Sequence, residues 1–303
     1  MAKKGARAEK SFLAAVDRRF PGLAVRIQRL VEASERQFAG NAPEADGSFL
    51  WEHSTHVASL AFALAGREGA DPALAAVAAL LHDAGKFAGG RYHEDDRPEE
   101  EEAARVATGL LGRSKMKALE RAAVLRALGA LYNPAASPDR LAAIVHDADF
   151  LSKFGFVGVA QFFVKSALRG KTLGQAVAQS LSKELTYAAC LPLNMRTAAG
   201  KEMAERKAAS TAAFFASFLE EIREVQGLAF GVSTERFYDP RWPGRPVEVR
   251  LVLPEACPSC GGFWRTSLAP AAGLKCDRLE ARAECVRCRS AVEVSFCLPE
   301  LAT

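Results

Sequence analysis

The sequence lacks any long apolar segment. Nowhere in its 303 residues do about 18 apolar residues run without interruption. The first seven residues, MAKKGAR, contain no stretch apolar enough for a signal peptide. These absences argue against a membrane-spanning or exported protein, so we expect a cytoplasmic protein that has no membrane partner.

The chain also has little excess charge. It carries 40 basic and 36 acidic side chains, a formal net charge of +4, with Lys3, Lys4, Arg7 and Lys10 crowded at the start. An imbalance this small does not by itself predict nucleic-acid binding. With 49% hydrophobic residues, the chain can bury one large core and still has room for a second, small module.

Strand-like runs are scarce over most of the chain, and no repeat of fixed length is visible. From about residue 11 to residue 226, apolar residues recur at helical spacing. Prolines and glycines near residue 240 indicate a linker, and the following VEVRLVL, residues 247–253, alternates with the period of a strand. We therefore expect a basic N-terminal segment over 1–20, a helical domain over 21–235, a linker over 236–246 and a small domain over 247–303.

Four side chains suited to metal binding fall on otherwise apolar helical stripes. His53 begins the run HSTHVASLAFALA, in which apolar residues recur at helical spacing from the histidine. His82 and Asp83 follow the apolar run ALAAVAALL, and Asp149 lies four residues after Val145. Two imidazoles and two carboxylates can hold a divalent metal that activates water near neutral pH. The sequence therefore predicts a metal site between helices.

The residues after the histidine–aspartate pair shape the end of its helix. Gly85 can end or bend the helix, so that Lys86 turns toward the same site. A lysine there is a candidate cation for a non-bridging phosphate oxygen. We also expect a later helix to begin with Ser137 as its N-cap and to carry Asp149 on its inner side.

Taken together, these motifs resemble the HD superfamily of metal-dependent phosphohydrolases. The histidine, the pair inside LLHDAGK and the aspartate inside DADFL stand in the family's order, over roughly residues 30–225. The last motif departs from the usual DADRL by having Phe150. The resemblance implies an all-α helical bundle, so the fold class we predict is mainly α, with a small β module after it. It also implies that the ligands of the metal are His53, His82, Asp83 and Asp149, with Asp147 as an alternative in the last motif.

The resemblance further implies a cofactor and a substrate class. The ion is a divalent metal such as Mn, Fe, Co, Ni or Mg, and the substrate is a phosphate ester or anhydride, most often of a nucleotide. Asp83 and Lys86 are the predicted catalytic residues. Some family members carry a glutamate that acts as general base three residues after the aspartate, where this chain has Lys86. The candidates for the general base are therefore Asp83 and Asp149. His56 and His93 are candidates for contact with substrate or a second metal, the alternatives being a surface role and a solvated loop.

Six of the seven cysteines crowd the last fifty residues. Two CxxC pairs stand 24 residues apart, a pattern that resembles a zinc ribbon and predicts a closed tetrahedral zinc site with a structural role. Cys276 and Cys297 lie outside these pairs, and we expect them to be spare. The predicted zinc ligands are Cys257, Cys260, Cys285 and Cys288.

The sequence leaves two kinds of partner for this module, a nucleic acid or a protein. Arginines cluster near the second pair and Phe263 with Trp264 follows the first, but acidic residues interleave with them. Two hypotheses for the whole chain follow. The first is a metal-dependent nucleotide phosphohydrolase. The alternative is a non-catalytic regulatory or adaptor protein that binds a nucleotide or nucleic acid.

Overall fold

Helices make up most of the chain, and the strands of its described residues lie near the C-terminal end. The computed structural model describes residues 12–39, 49–88, 99–133, 137, 139–226, 229–238, 246–271 and 278–297. Helix α1 is described over residues 12–19. The other helices are α2 (Leu23–Ala39), α3 (Phe49–Arg67), α4 (Pro72–Leu81), α5 (Glu99–Leu111), α6 (Ala118–Ala130), α7 (Arg140–Ser152), α8 (Gly155–Leu168), α9 (Leu173–Asn194) and α10 (Ala198–Gln226). The strands are β1 (Phe230–Phe237), β2 (Val247–Pro254), β3 (Trp264–Ala271), β4 (Arg278–Cys285) and β5 (Ala291–Cys297).

This architecture confirms the predicted fold class, mainly α with a small β module. The segment that alternates with period two is β2, as predicted. Strand β1 was not predicted, and it pairs antiparallel with β2 from Phe230 opposite Pro254 to Phe237 opposite Val247. The other strands form a separate antiparallel sheet in the order β3-β4-β5. None of the described helices is long and apolar enough to span a membrane.

The chain divides into two compact units. The first contains Met1–Ser152 and Arg196–Gly200, and the second contains Lys153–Met195 and Lys201–Thr303. The second unit thus includes all five strands together with α8, α9 and most of α10. These compact units do not test the domain boundaries that we expect from the sequence, so those boundaries stay a prediction. The predicted linker falls largely on residues 239–245, outside the described residues.

Helix α4 lies at the centre of the first unit. Its alanines, Val77, Leu80 and Leu81 are buried, and small side chains let α3 and α7 approach closely. Asp71 caps its N-terminus by accepting hydrogen bonds from the backbone N–H groups of Ala73 and Leu74, at 3.0 and 3.1 Å. Because α4 is buried over most of its length and throughout its C-terminal half, His82 and Asp83, which follow it, lie in the interior.

Helix α7 begins later than expected. Asp139 is its N-cap, because the backbone N–H of Ala142 donates to Asp139 Oδ1 at 2.9 Å. The prediction that Ser137 caps this helix was therefore wrong. An aspartate competes well with a serine for this role, and it lies two residues closer to the first turn.

In the second unit, β2 packs on α9. The side chains of Val247, Val249 and Leu251 alternate inward. Hydroxyl groups of α9 satisfy the strand's backbone: Val252 N–H donates to Ser182 Oγ at 2.9 Å, and Arg250 N–H donates to Thr186 Oγ1 at 2.9 Å. These bonds tie the sheet to a helix, so the small β module has more core than its own strands supply.

A cavity of about 100 Å³ lies in the second unit. Its walls include Phe154, Phe162, Lys153, Lys165 and Glu184. Burial raises the pKa of the Glu184 carboxyl to about 7, although Lys165 and Lys153 act in the opposite direction. The folded protein therefore holds a proton on Glu184 at pH values where the unfolded chain has lost it.

We expect Glu184→Gln to stabilise the protein in a pH-dependent way. Because the folded-state pKa is raised, the favourable contribution of the neutral carboxyl is present below the unfolded value near 4.5 and is lost as pH rises through about 7. At about pH 8 the glutamine should increase the free energy of unfolding by up to about 3 kcal/mol, and near pH 4 it should change little. Urea unfolding at both pH values checks this, with the exposed Glu220→Gln as control. Equal effects at the two pH values would contradict it.

Candidate metal centres

Three helical segments of the first unit bring three of the predicted ligands together: His53, His82 and Asp149 each offer a donor atom within 4.8 Å of the other two, and Asp83 lies beside this group without belonging to it. His53 comes from α3, His82 and Asp83 follow α4, and Asp149 comes from α7; all four are buried. The Nε2 atom of His53 lies 3.4 Å from Asp149 Oδ1, and His82 Nε2 lies 3.7 Å from the same oxygen. Donors held at about 2.1 Å from one ion are about 3.0 Å apart at octahedral angles and about 3.4 Å apart at tetrahedral angles. The spacing therefore fits a divalent metal.

The imidazole of His82 is oriented as metal-ligating histidines are. Its Nδ1 lies 2.7 Å from the carbonyl oxygen of Ala79. Since a carbonyl can only accept, Nδ1 carries a proton, so Nε2 faces the site and presents its lone pair there once its own proton is displaced. That buried Nε2 has no hydrogen-bond partner among the described residues. A buried acceptor of this kind fits a cation better than it fits an empty interior.

Charge in the site points the same way. Burial disfavours the imidazolium form of His82, but Asp83 and Asp149 outweigh it and raise the pKa of His82 to about 9. Burial lowers the pKa of His53, so that ring is neutral near pH 7. Without a metal, the two carboxylates stabilise a proton on His82. A metal ion would supply the same positive charge, and its binding would displace that proton.

Asp83 bridges the two imidazoles and is itself held by a lysine. Its Oδ2 lies 3.7 Å from His53 Nε2 and accepts from Lys86 Nζ at 3.1 Å, while its Oδ1 lies 3.5 Å from His82 Nε2. Burial opposes ionisation, but His82 and Lys86 lower the pKa of Asp83 to about 2. The Lys86 ammonium also lies 3.7 Å from Glu99 Oε1, and its side chain is 28% exposed. A cation at the rim of the site remains accessible to a phosphate group.

Gly85 is needed where the chain turns after Asp83. A Cβ added to Gly85 would lie 2.6 Å from the backbone nitrogen of Ala103 and 2.8 Å from the backbone carbon of Glu102. The turn therefore passes directly against α5, which only a glycine permits. This close approach sets the direction in which Lys86 leaves the helix end.

Tyr132 is a site residue that sequence analysis missed. Its Oη donates a hydrogen bond to Asp149 Oδ2 at 2.6 Å. Burial and the negative charge of Asp149 raise the pKa of the Tyr132 phenol well above its usual value, so the phenol stays protonated. No spacing rule links a tyrosine after α6 to an aspartate on α7, because only the packing of the two helices brings them together.

The other aspartate of DADFL has a structural role. Asp147 is fully buried, and its carboxylate accepts from the backbone N–H groups of Arg196 and Thr197, at 2.9 and 2.8 Å, and from Thr197 Oγ1 at 2.7 Å. A Cβ added to Gly200 would lie 2.3 Å from Asp147 Oδ2. The carboxylate thus fixes the start of α10. The geometry therefore favours Asp149, and not the alternative Asp147, as the metal ligand from this motif.

We expect the two aspartates to fail in different ways when each is replaced by alanine. Asp147→Ala leaves two buried donors of Thr197 and one half-buried donor of Arg196 without their acceptor and should lower the free energy of unfolding by about 3 kcal/mol or more. Asp149→Ala should change stability little but weaken binding of Mn²⁺ by more than about a hundredfold. Replacing a residue that only hydrogen-bonds to a metal ligand already lowers metal affinity about ten- to a hundredfold, and loss of the ligand itself should cost more. Urea unfolding without added manganese and calorimetric titration with Mn²⁺ measure the two effects. An Asp147→Ala protein that folds normally but loses manganese would reverse the assignment.

The remaining candidate histidines are not part of this cluster. His56 is half-buried on α3 and does not belong to the described metal-ligating group. His93 lies outside the described residues. His146 is buried, its Nδ1 lies 3.1 Å from Asp147 Oδ1, and burial lowers its pKa. Contact of His56 or His93 with substrate stays a prediction.

The four predicted zinc ligands form a second cluster, in the second unit. Their sulfur atoms all lie within 4.8 Å of one another. The Sγ atoms of Cys257 and Cys288 are 3.5 Å apart, as are those of Cys260 and Cys285. A tetrahedron with Zn–S bonds of about 2.3 Å has edges of about 3.8 Å, so this cluster could hold zinc.

The two cysteine pairs have the same backbone conformation. In each, the residue after the second cysteine has a positive φ: Gly261 at 69° and Arg289 at 65°. Its backbone N–H donates to the carbonyl oxygen of the first cysteine, at 2.8 Å for Gly261 and 3.0 Å for Arg289. Two equivalent turns thus present two thiols each. The expectation that Cys297 is spare was wrong, since it forms a disulfide.

Comparison with known proteins agrees with the helical site. Residues 50–153, which include all four predicted ligands, match the family model described as the HD domain. The crystal structure of a predicted HD superfamily hydrolase from an uncultured Thermotogales bacterium aligns with a TM-score of 0.50 at 24% identity, covering 69% of this chain and 98% of that one. Selenomethionine-labelled Bacillus subtilis YpgQ aligns with a TM-score of 0.48 at 22% identity, covering 67% and 96%. The complex of YpgQ with ADP gives 0.46 at 21%, covering 67% and 99%.

No curated protein matches the sequence. The family match spans the segment in which α3, α4 and α7 bring His53, His82 and Asp149 together. The chain therefore contains an HD domain, and the likeness to the Thermotogales protein concerns its fold. The cysteine cluster lies outside the matched residues.

Proposed function

We propose that this protein is a metal-dependent phosphohydrolase that hydrolyses a phosphate ester or anhydride of a nucleotide. The observation that carries the proposal is the convergence of two imidazoles and the Asp149 carboxylate, with the Nε2 atom of His82 directed into the site by the carbonyl of Ala79. The HD domain implies a divalent metal. We propose Mn, Fe, Co, Ni or Mg for that ion. Bound there, it would supply Lewis acidity and a water of lowered pKa.

The chain's own groups have separable roles in this proposal. His53, His82, Asp83 and Asp149 hold the ion. Lys86, tied to Asp83 at 3.1 Å but partly exposed, neutralises a non-bridging phosphate oxygen. A carboxylate at the ion, that of Asp83 or Asp149, takes the proton of the attacking water. The nucleotide as substrate is supported by the resemblance of the motifs to the HD superfamily.

An activity panel tests this function. The purified protein, supplied with Mn²⁺, should hydrolyse at least one compound among nucleoside phosphates, cyclic dinucleotides and short RNA, and Asp83→Ala should lose that activity. Elemental analysis of the same samples should find zinc together with a second metal. A protein that holds zinc alone and hydrolyses none of these compounds would be the non-catalytic adaptor, and an active Asp83→Ala protein would exclude the assigned site.

For the cysteine module, we propose structural zinc and a protein partner. Residues 247–303 carry seven basic and seven acidic side chains, and four thiolates around zinc add negative charge. Electrostatic attraction to nucleic acid is therefore weak. Beside the two cysteine pairs, Phe263 is 78% exposed and Val286 is 47% exposed, which favours an apolar contact. We expect no measurable salt-dependent binding of single-stranded RNA in a fluorescence anisotropy titration. If the wild-type protein binds the RNA and Phe263→Ala does not, the exposed aromatic ring would instead be a stacking platform for nucleic acid.

A further inference from the structure

The two oxygens of the Asp149 carboxylate have different neighbours. Oδ1 faces the imidazoles, at 3.4 Å from His53 Nε2 and 3.7 Å from His82 Nε2. Oδ2 accepts the hydrogen bond from Tyr132 Oη at 2.6 Å. Oδ1 is thus the Asp149 oxygen nearest to both imidazoles, and Oδ2 is the oxygen that Tyr132 holds.

Tyr132 is held in this position by its surroundings. Its ring packs against the ring of His146, with centroids 6.0 Å apart. The residue before it, Leu131, is buried, and its carbonyl oxygen accepts from the Arg196 guanidinium at 3.0 Å. A donor fixed from two sides restricts rotation of the carboxylate that it contacts, because rotation would break a short hydrogen bond to a charged acceptor.

This restriction matters for the number of positions left open on the ion. A carboxylate can bind a metal through one oxygen or through both. In an octahedral shell, four protein ligands that each use one atom leave about two positions, and a carboxylate that binds through both oxygens removes one of them. Hydrolysis needs at least one position for water.

We infer that Tyr132 is a positioning residue that keeps Asp149 bound to the ion through Oδ1 alone and so preserves a coordination position for water. The inference rests on the proposed function, because it requires an ion at the helical site. It assigns to Tyr132 no contact with substrate. Its effect is on the geometry of the metal's shell.

Water proton relaxation by bound Mn²⁺ tests this role, since the relaxation rate scales with the number of exchangeable waters on the ion. We expect Tyr132→Phe to bind Mn²⁺ but to lose about one of two waters, which lowers the paramagnetic relaxation by about half. The double variant Tyr132→Phe with Asp149→Asn should recover the lost relaxation, because an amide offers one oxygen only. Tyr238→Phe, which changes an exposed tyrosine in the second unit, is the matched control. Urea unfolding confirms that each variant folds.

The outcomes separate the two proposals. If the wild-type protein binds neither Mn²⁺ nor, in calorimetric titration, Fe²⁺, Co²⁺, Ni²⁺ or Mg²⁺, both the proposed function and the role of Tyr132 are wrong. If the wild-type protein and Tyr132→Phe bind Mn²⁺ with equal relaxation, only the role of Tyr132 is wrong. A crystal structure of the manganese-loaded wild-type protein gives a check that needs no variant, since Asp149 bound through both oxygens would overturn the inference.

Discussion

Replacing His82 by alanine is expected to remove the ion of the helical site and to lower metal-dependent hydrolysis by more than about a hundredfold. Loss of a ligand should lower activity by more than loss of a residue that hydrogen-bonds to a ligand, which costs about ten- to a hundredfold. The Nε2 of His82 faces Asp83 and Asp149, and its Nδ1 is fixed on the carbonyl of Ala79. No other described side chain can take its place from the end of α4. Steady-state kinetics and elemental analysis of the same preparation measure both effects.

The cysteine cluster provides the internal control for this experiment. It lies in the other compact unit, so His82→Ala should keep its zinc while it loses the second metal. A His82→Ala protein that retains both metals, or that hydrolyses substrate at the wild-type rate, would show that the chemistry happens elsewhere.

Replacing Cys285 by alanine is expected to have the largest effect on stability. Cys285 is fully buried at the end of β4, and its sulfur lies 3.5 Å from that of Cys260. Because binding of structural zinc contributes on the order of ten kcal/mol to the folding of small zinc modules, loss of one thiolate should destabilise the second unit by several kcal/mol. Elemental analysis should find the zinc lost, and urea unfolding should show the lower midpoint.

Cys190→Ala is the matched control for this change. Cys190 is also a fully buried cysteine of the second unit, where it packs with the side chains of β2 and β4, but it lies outside the cluster. The same substitution there should leave the zinc in place and cost about 1 to 2 kcal/mol as a small cavity. Equal destabilisation by the two substitutions would mean that the cluster contributes packing and no metal.

The sequence was most informative where one motif sits on one apolar stripe. His53 and Asp149 lie on the buried side of a helix and His82 directly follows a buried helix, and helical spacing predicts the side on which each is found. The cysteine pairs were equally visible, because a turn that presents two thiols needs only four residues. In both cases local geometry sets where the ligand atoms point.

What the sequence could not give depends on packing between segments. Tyr132 reaches Asp149 only because α6 and α7 lie side by side. Asp147 is committed to the start of α10 by contacts with Arg196 and Thr197, about fifty positions away. Periodicity places an aspartate on a helix face, but it does not say which neighbouring segment supplies the hydrogen-bond donors. Strand β1 was missed because Gly231, Ser233 and Glu235 interrupt its apolar pattern.

The central claim is that one ion binds among the side chains of residues 53, 82, 83 and 149. Anomalous scattering from a crystal of the protein soaked in a manganese salt tests it most directly. We expect an anomalous peak at about 2.1 to 2.2 Å from the Nε2 atoms of His53 and His82 and from Asp149 Oδ1. An absence of anomalous density between these side chains, with a peak only at the four cysteines, would contradict it.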